Sequence, residues 1–424
     1  MPTTAPPTPL VQWPPPTPDP DRTTSQVRVL VAMPTATDVW DGARWDTARW
    51  DASHIGNVRD LTCDVEGLQV TWGRDSTTGH VRPAELVVAL SNTSGTYTPW
   101  VDGPDRRRLW WLGAPVQVAT SRGPLFTGYV AGLTETDDAD EFPVVALRAT
   151  GVAGYLAAVD GVEQAERGAG ETAGPRLDRI CNNAVLPLWV GRRFDPGIVP
   201  LQGTTLARGA LEECWLVADS DGGAFMDTPA GDLVFYDAAT MTGSRRYTEP
   251  QATFSDQPDA GAGVMVPVTS MTVELDADPT VDVVGIGCAG GTMQTVERRT
   301  SVWRARKTWS RTDLIHQGDA HSRYLAGLIL DRLANRVLKV SPIEFDALDT
   351  AAGWTVAHDL HPYDRVRITR RRHHQVLDLT ATVDQVVHRI TPDSWTCTVT
   401  VSPGAQRHDF ARWDEAMFDR ALWA

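Results

Sequence analysis

Chemistry in this 424-residue chain would have to come from its 10 histidines, 5 cysteines and 54 acidic residues, so their spacing is decisive. No G-x-S-x-G nucleophile elbow, no GxxxxGK[ST] phosphate loop and no H-E-x-x-H helix occurs in the sequence. Cys63, Cys181, Cys214, Cys288 and Cys397 lie far apart, form no Cys-x-x-Cys pair and are odd in number. That argues against a disulfide framework and against a cysteine zinc site. Asp219-Ser220-Asp221-Gly222 begins like a calcium loop but lacks the later ligands and the closing glutamate, and reads as a polar helix stop. His358, His361, His373 and His374 could offer imidazoles to a metal. The first pair reads as an exposed loop, and the second adjoins Arg370-Arg371-Arg372, whose charge opposes a cation. Glu135, Asp137, Asp138, Asp140 and Glu141 could supply the paired carboxylates of a glycosidase. They crowd one turn with no apolar neighbour to raise one pKa, which predicts a solvated hairpin tip. The expectation is no catalytic, cofactor or metal residue, and no enzyme.

The basic residues are skewed: apart from Lys307 and Lys339 every one is arginine, which reads as a GC-rich genome. Arg106-Arg107-Arg108 form one patch. Arg298, Arg299, Arg304, Arg306, Lys307 and Arg311, interleaved with Trp303 and Trp309, form another that could stack on bases. Against a net charge of −15, contact with an acidic neighbouring subunit is the better expectation. The same charge disfavours wrapping duplex DNA, yet it allows a smooth acidic wall past which DNA slides.

Tryptophan carries the oddest pattern. Trp40-Asp41, Trp45-Asp46 and Trp50-Asp51 repeat a W-D-x-A-x pentad, and Trp413-Asp414, Phe418-Asp419 and Trp423 echo it. A five-residue step matches neither the helix period nor the strand period. Such rings cannot all enter one core, which predicts a partner-docking motif at each end or tails folded back over the second β domain. Each aspartate would cap a turn.

These residues are positioned by a mainly β chain. Residues 1–22 hold nine of the first twenty positions as proline and read as an extended arm. The start has neither a basic nor an apolar stretch, so no secretory signal is expected, and no run of 18 apolar residues suits a membrane span. Alternating runs at Leu68/Val70/Trp72, Leu86/Val88/Leu90, Val116/Val118, Phe126/Val130 and Val145/Leu147 predict a small barrel or sandwich. Pro175–Ile180 and Leu206–Ala218 predict helices, followed by a strand pair at 223–226 and 233–236. Met271/Val273/Leu275 resume the β pattern, residues 319–338 form a helix, and strands return at Ile343/Phe345, Val366/Ile368, Val376–Val387 and Trp395–Val401. The expected order is an arm and pentad tail (1–57), a β-barrel-like domain (58–153), an α/β insertion (154–264), a second barrel-like domain (265–405) and a pentad tail (406–424).

Several segments in this order resemble the tail hub, or baseplate hub, family of minor tail proteins in long-tailed bacteriophages of GC-rich hosts. Leu86–Ser91-Asn92-Thr93-Ser94-Gly95-Thr96-Tyr97-Thr98-Pro99 is similar to the family's L-D-N-x-D-G-x-Y/F-S-P segment, without its acidic residues. Gly113–Val118 and Leu125–Val130 resemble the next two strands. Leu360-His361-Pro362-Tyr363-Asp364-Arg365-Val366 resembles L-x-x-G-D-x-V with tyrosine in place of glycine, and Val387–Thr391 with Trp395 and Val399–Pro403 resembles the last hairpin. The resemblance implies a ring-forming homotrimer whose two barrels alternate into a pseudo-sixfold at the distal tip of the tail. It implies a virion protein made in the host cytoplasm. Its partners would be the distal tail protein ring, the tape measure protein and a tip or fibre protein, with DNA passing through unbound. A hexameric distal tail protein, or a tail-associated hydrolase of cell wall or capsule, are the alternatives.

Overall fold

The computed structural model describes residues 13, 27–33, 57–76, 78–99, 112–136, 143–187, 190–256, 264–275, 281–298, 305–333, 338–372 and 375–403. The chain is mainly β, as its alternating patterns predict. The first array contains β1 (Arg28–Met33), β2 (Asn57–Asp60), β3 (Val65–Arg74), β4 (Val81–Ser91), β5 (Pro115–Thr120), β6 (Gly123–Thr136) and β7 (Val144–Gly151). They are ordered β2-β1-β5-β6-β7-β4-β3. Leu68, Val70 and Trp72 on β3 and Leu86, Val88 and Leu90 on β4 all point inward, as a period of two requires. Strand β1 lies within the stretch that the sequence assigns to a tail. Its Val29 and Val31 are fully buried, and it pairs with both β2 and β5. A six-residue strand behind a proline arm offers too little alternation to stand out. Gly128, where β6 crosses β7, must be glycine: a Cβ there would sit 2.1 Å from the Thr150 carbonyl oxygen.

An α/β insertion follows: α1 (Ala153–Ala157), β8 (Glu163–Arg167), α2 (Ala173–Asn183), β9 (Arg192–Phe194), β10 (Thr204–Leu206), α3 (Ala210–Asp221), β11 (Ala224–Asp227), β12 (Leu233–Tyr236), α4 (Ala238–Gly243) and α5 (Arg245–Thr248). Helix α3 begins four residues later than Leu206, because Thr204–Leu206 is taken by a strand pairing with β8. It ends as expected at Gly222, which adopts φ 90°.

The chain then lays down β13 (Pro250–Ser255), β14 (Met265–Pro267) and β15 (Ser270–Leu275), and departs again into β16 (Val283–Cys288), β17 (Gln294–Glu297), β18 (Thr308–Leu314) and α6 (Asp319–Leu333). Sequence order places this excursion in the second β domain. Its buried Val284, Ile286, Leu314, Leu325 and Leu330 instead share one core with Leu177, Ile180, Leu211 and Val217 of the insertion. Linear order cannot reveal that apolar faces distant in sequence meet. The second array is completed by β19 (Leu338–Asp346), a short helix α7 (Ala351–Asp359), β20 (Arg365–Arg372), β21 (Gln375–Thr391) and β22 (Ser394–Pro403).

The two arrays form one 14-stranded sheet, joined where β21 meets β3. Residues 375–382 of β21 pair with β20, and Gln385–Ile390 pair with Leu68–Gly73 of β3. The register shifts between Val383 and Gln385. Before the shift Leu379, Ala381 and Val383 are buried; after it Val386, His388 and Ile390 are. One extra residue therefore switches which parity faces inward at the point where the strand changes partner.

Candidate functional site

The seam between the arrays is where the insertion, both arrays and the end of the last strand converge. Arg74 continues the inward alternation of β3, so a guanidinium enters the interior. It pairs with the bulge residue Asp384 at 2.5 Å, with side chains 3% and 7% exposed, and its Nε donates to the Val383 carbonyl at 3.2 Å. The Ser402 hydroxyl donates to the same carboxylate. Tyr363 sits beside them with φ 75°, a left-handed conformation at the position where the resembling motif has glycine. Such a conformation costs about 1–2 kcal/mol in a residue with a Cβ. The turn demands it: Tyr363 N–H donates to Val383 and the Asp364 carboxylate accepts from His361 N–H at 2.8 Å. The ring offsets the cost through Arg74 at 4.5 Å and Arg332 at 5.8 Å from its centroid, while its hydroxyl donates to the Gly79 carbonyl.

Asp364, fully buried, binds Arg246 of α5 in a fork at 2.7 and 2.8 Å and so ties the insertion to the second array. Burial raises its pKa, and Arg246 opposes that shift. Helix α7 ties the second array to the first. His358 donates from Nδ1 to the Trp354 carbonyl at 2.7 Å and accepts at Nε2 from the Thr120 hydroxyl at 2.7 Å. Asp359 pairs with Arg122 at 3.0 Å. Burial lowers the pKa of His358 and takes His361 down to about 4. The exposed loop expected for His358–His361 is therefore a helix end packed between the arrays. Thr350, whose hydroxyl accepts from Gly353 N–H at 2.9 Å, is the N-cap signal that the sequence reading missed.

The segment carrying the first resemblance is a pinned loop. Asn92, 2% exposed, accepts from Tyr97 N–H at 2.8 Å and donates to Thr98 and Glu135, each at 2.8 Å. The Tyr97 hydroxyl donates to Asp64, and burial together with that carboxylate pushes the phenol pKa up. Glu135 thus anchors this loop. Asp137, Asp138, Asp140 and Glu141 lie outside the described residues, as do Arg106–Arg108, Arg299, Arg304, His373 and His374. Of the remaining basic set, Arg298 pairs with Asp331 and Arg306 with Glu297, each at 2.7 Å, and Arg311 pairs with Asp219 and Asp313. These guanidinium groups are matched by carboxylates of their own chain and form no single unmatched patch. Among the described residues no three His, Cys, Asp or Glu side chains gather as a metal site. Trp40, Trp45, Trp50, Trp413, Phe418 and Trp423, with their aspartates, also lie outside the described residues.

His388 titrates in a way that can be measured. Its ring is buried, and Nδ1 faces the Trp395 indole N–H and the Cys397 thiol, each at 3.3 Å. Burial takes its pKa from 6.5 to about 3. The unfolded chain binds this proton from pH 6.5 downward while the folded chain does not, so stability falls with pH across that window. The expected loss is about 2 kcal/mol between pH 6.5 and 4.5, at about 1.4 kcal/mol per unit. Asp227, raised by burial to about 6, acts in the opposite sense below that value. Comparison of urea midpoints with a His388→Gln variant therefore isolates the histidine: the variant should lose less stability than the wild type over these two pH units. Equal slopes would contradict the assignment.

A tail protein from Neisseria meningitidis covers 89% of this chain and 96% of its own, with a TM-score of 0.58 at 13% identity. The fold is shared. The 43 kDa tail protein of prophage MuSo2 from Shewanella oneidensis is similar over 89% of this chain and 98% of its own, with a TM-score of 0.56 at 10% identity. No protein-family model and no curated protein matches the chain. The two tail proteins are matched over nearly their whole lengths.

Proposed function

We propose that the chain is a structural virion protein, a homotrimeric hub at the distal tip of a phage tail. It would join the tail tube and the distal tail ring to a tip or fibre protein, enclose the end of the tape measure, and let DNA pass. The observation that carries this reading is the single sheet of two seven-stranded arrays, held together by the β3–β21 seam. Three such chains supply six array positions, which can meet a sixfold ring above and a threefold tip below, and closed symmetry is the rule for such assemblies. The two tail proteins of the same fold support placement in a tail.

A net charge of −15 suits a conduit whose wall is acidic or neutral, because an arginine-rich wall would hold phosphates. The Asp137–Glu141 tip is the candidate lining. The set Arg298, Arg299, Arg304, Arg306, Lys307 and Arg311 is the candidate contact with a neighbouring subunit, and Arg298, Arg306 and Arg311 would bring to it ion pairs already formed within this chain. The pentads at Trp40, Trp45 and Trp50 are the candidate dock for the tip protein, since aromatic anchors dominate interfaces. Changing all three to alanine should leave the melting temperature within about 2 °C and abolish attachment of the neighbouring tip protein. Complete infectious tails from that variant would remove the docking role.

The reading as a whole is tested by location. Gold-labelled antibody fragments against this chain should mark one end of stained tails. Label along the tube, or none on the particle, would contradict it.

A further inference from the structure

The two arrays repeat one plan. Numbered by appearance within each array, the strands of the first lie in the order 2-1-5-6-7-4-3, and those of the second, β14-β13-β20-β21-β22-β19-β15, lie in the same order. Direction is kept as well, except that β13 runs parallel to both its neighbours where β1 is antiparallel to both. The likeness reaches single residues. Gly113, at φ 79°, donates its N–H to the Val130 carbonyl, and Val130 donates back to Ala114. Tyr363, at φ 75°, donates to Val383, and Val383 donates back to Asp364. Directly after each valine the register shifts, between Val130 and Gly132 on β6 and between Val383 and Gln385 on β21.

Past that shift the arrays differ. Gln385–Ile390 of β21 carry β22 on one side and β3 on the other. Gly132–Thr136 of β6 carry β7 on one side, and among the described residues no strand lies on the other. The counterpart of β3 is β15, which pairs with β19 along one side and, among the described residues, with nothing along the other. The two open edges are the two halves of a second seam, and within one chain they do not pair. Thr134 and Thr136 on β6 and Thr272, Val273 and Glu274 on β15 are exposed. Neither segment holds the proline or lysine that commonly blunts an open edge.

We propose that β15 of one copy adds antiparallel to the open edge of β6 in the next, repeating between chains the seam that β3 and β21 form within one. The register carries over. Leu133, Leu147, Val88 and Leu68 form one row across the first array, and Val386, Val399, Ile343 and Met271 form the matching row across the second. His388 faces Val70 and Val387 faces Thr71 at the internal seam, so Glu135 faces Val273 and Thr134 faces Glu274 at the new one. Each copy gives one edge and takes another, a head-to-tail contact that closes as a ring. The pairing deepens the hub reading and rests on it only for the number of copies.

Cysteine pairs in the purified full-length protein test it, on a Cys63→Ser background because Cys63 is the exposed cysteine. Directly opposed residues bring their Cβ atoms within about 5.5 Å, so Thr134→Cys/Glu274→Cys should join chains on mild oxidation about tenfold more than the offset pair Thr134→Cys/Ser270→Cys. Each single variant should join none. Equal linkage in both pairs, or none in either, overturns the proposal. Light scattering counts the copies separately: linked rings of a number other than three would keep the pairing and contradict the trimer, while unlinked trimers would keep the trimer and overturn the pairing. Where a variant fails to fold, hydrogen exchange on the wild type decides. Amides in 132–136 and 270–275 should gain protection as protein concentration rises, and protection that ignores concentration overturns the proposal.

Discussion

Arg74→Ala should lower the folding stability of the chain by about 3–5 kcal/mol, the usual consequence of stranding one member of a buried ion pair. The magnitude follows from position. With side chains 3% and 7% exposed, neither Arg74 nor Asp384 can recruit water when its partner is lost. Arg74 also leaves the face of Tyr363, whose left-handed backbone then keeps its cost with less to offset it. The double variant Arg74→Met/Asp384→Asn should recover a large part of the loss, because no lone charge stays buried. Urea unfolding of the three proteins measures this. A loss below about 1 kcal/mol in the single variant would mean that the seam is not held by this pair.

Trp395→Ala should cost about 3–5 kcal/mol through a different mechanism, the cavity left by a large side chain. Trp395 has no exposed surface and meets Trp354 edge-on at 5.1 Å and His358 at 5.2 Å. It also supplies the N–H that His388 accepts. The loss should therefore come with a change in the acid sensitivity of His388, which an Arg74 variant leaves alone. Thermal unfolding at pH 7 and pH 4.5 separates the two effects. A Trp395→Ala protein that melts within about 2 °C of the wild type would show that α7 does not rest on this ring.

The parts of this fold legible from sequence are those in which one side chain pattern decides one local outcome. Alternation at Leu86, Val88 and Leu90 is enough to place β4, and Gly222 is enough to stop α3. The seam was not legible, because it depends on a parity change at Asp384 and on Arg74, 310 positions away, meeting it across the sheet. An inward arginine at the end of an apolar alternation, Trp72 then Arg74, was the one available hint. The motif at 360–366 was visible, but tyrosine at 363 makes sense only beside two arginines brought from β3 and α6. The amphipathic pattern of α6 states that it packs but not against what, and its Leu325 and Leu330 join the core of the insertion. The exposed-loop expectation for His358–His361 failed for a related reason. The polar His358, Asp359 and His361 after Thr350 and Trp354 hide a helix whose end packs against the other array through His358 and Thr120.

The most direct test of the account is an image reconstruction of the tail tip from intact particles. Three copies of this chain are expected around the tail axis, with the first and second arrays alternating as six similar positions around the conduit. A tip holding one copy or six, or a ring in which the Arg298–Arg311 face lines the narrowest point, would contradict it.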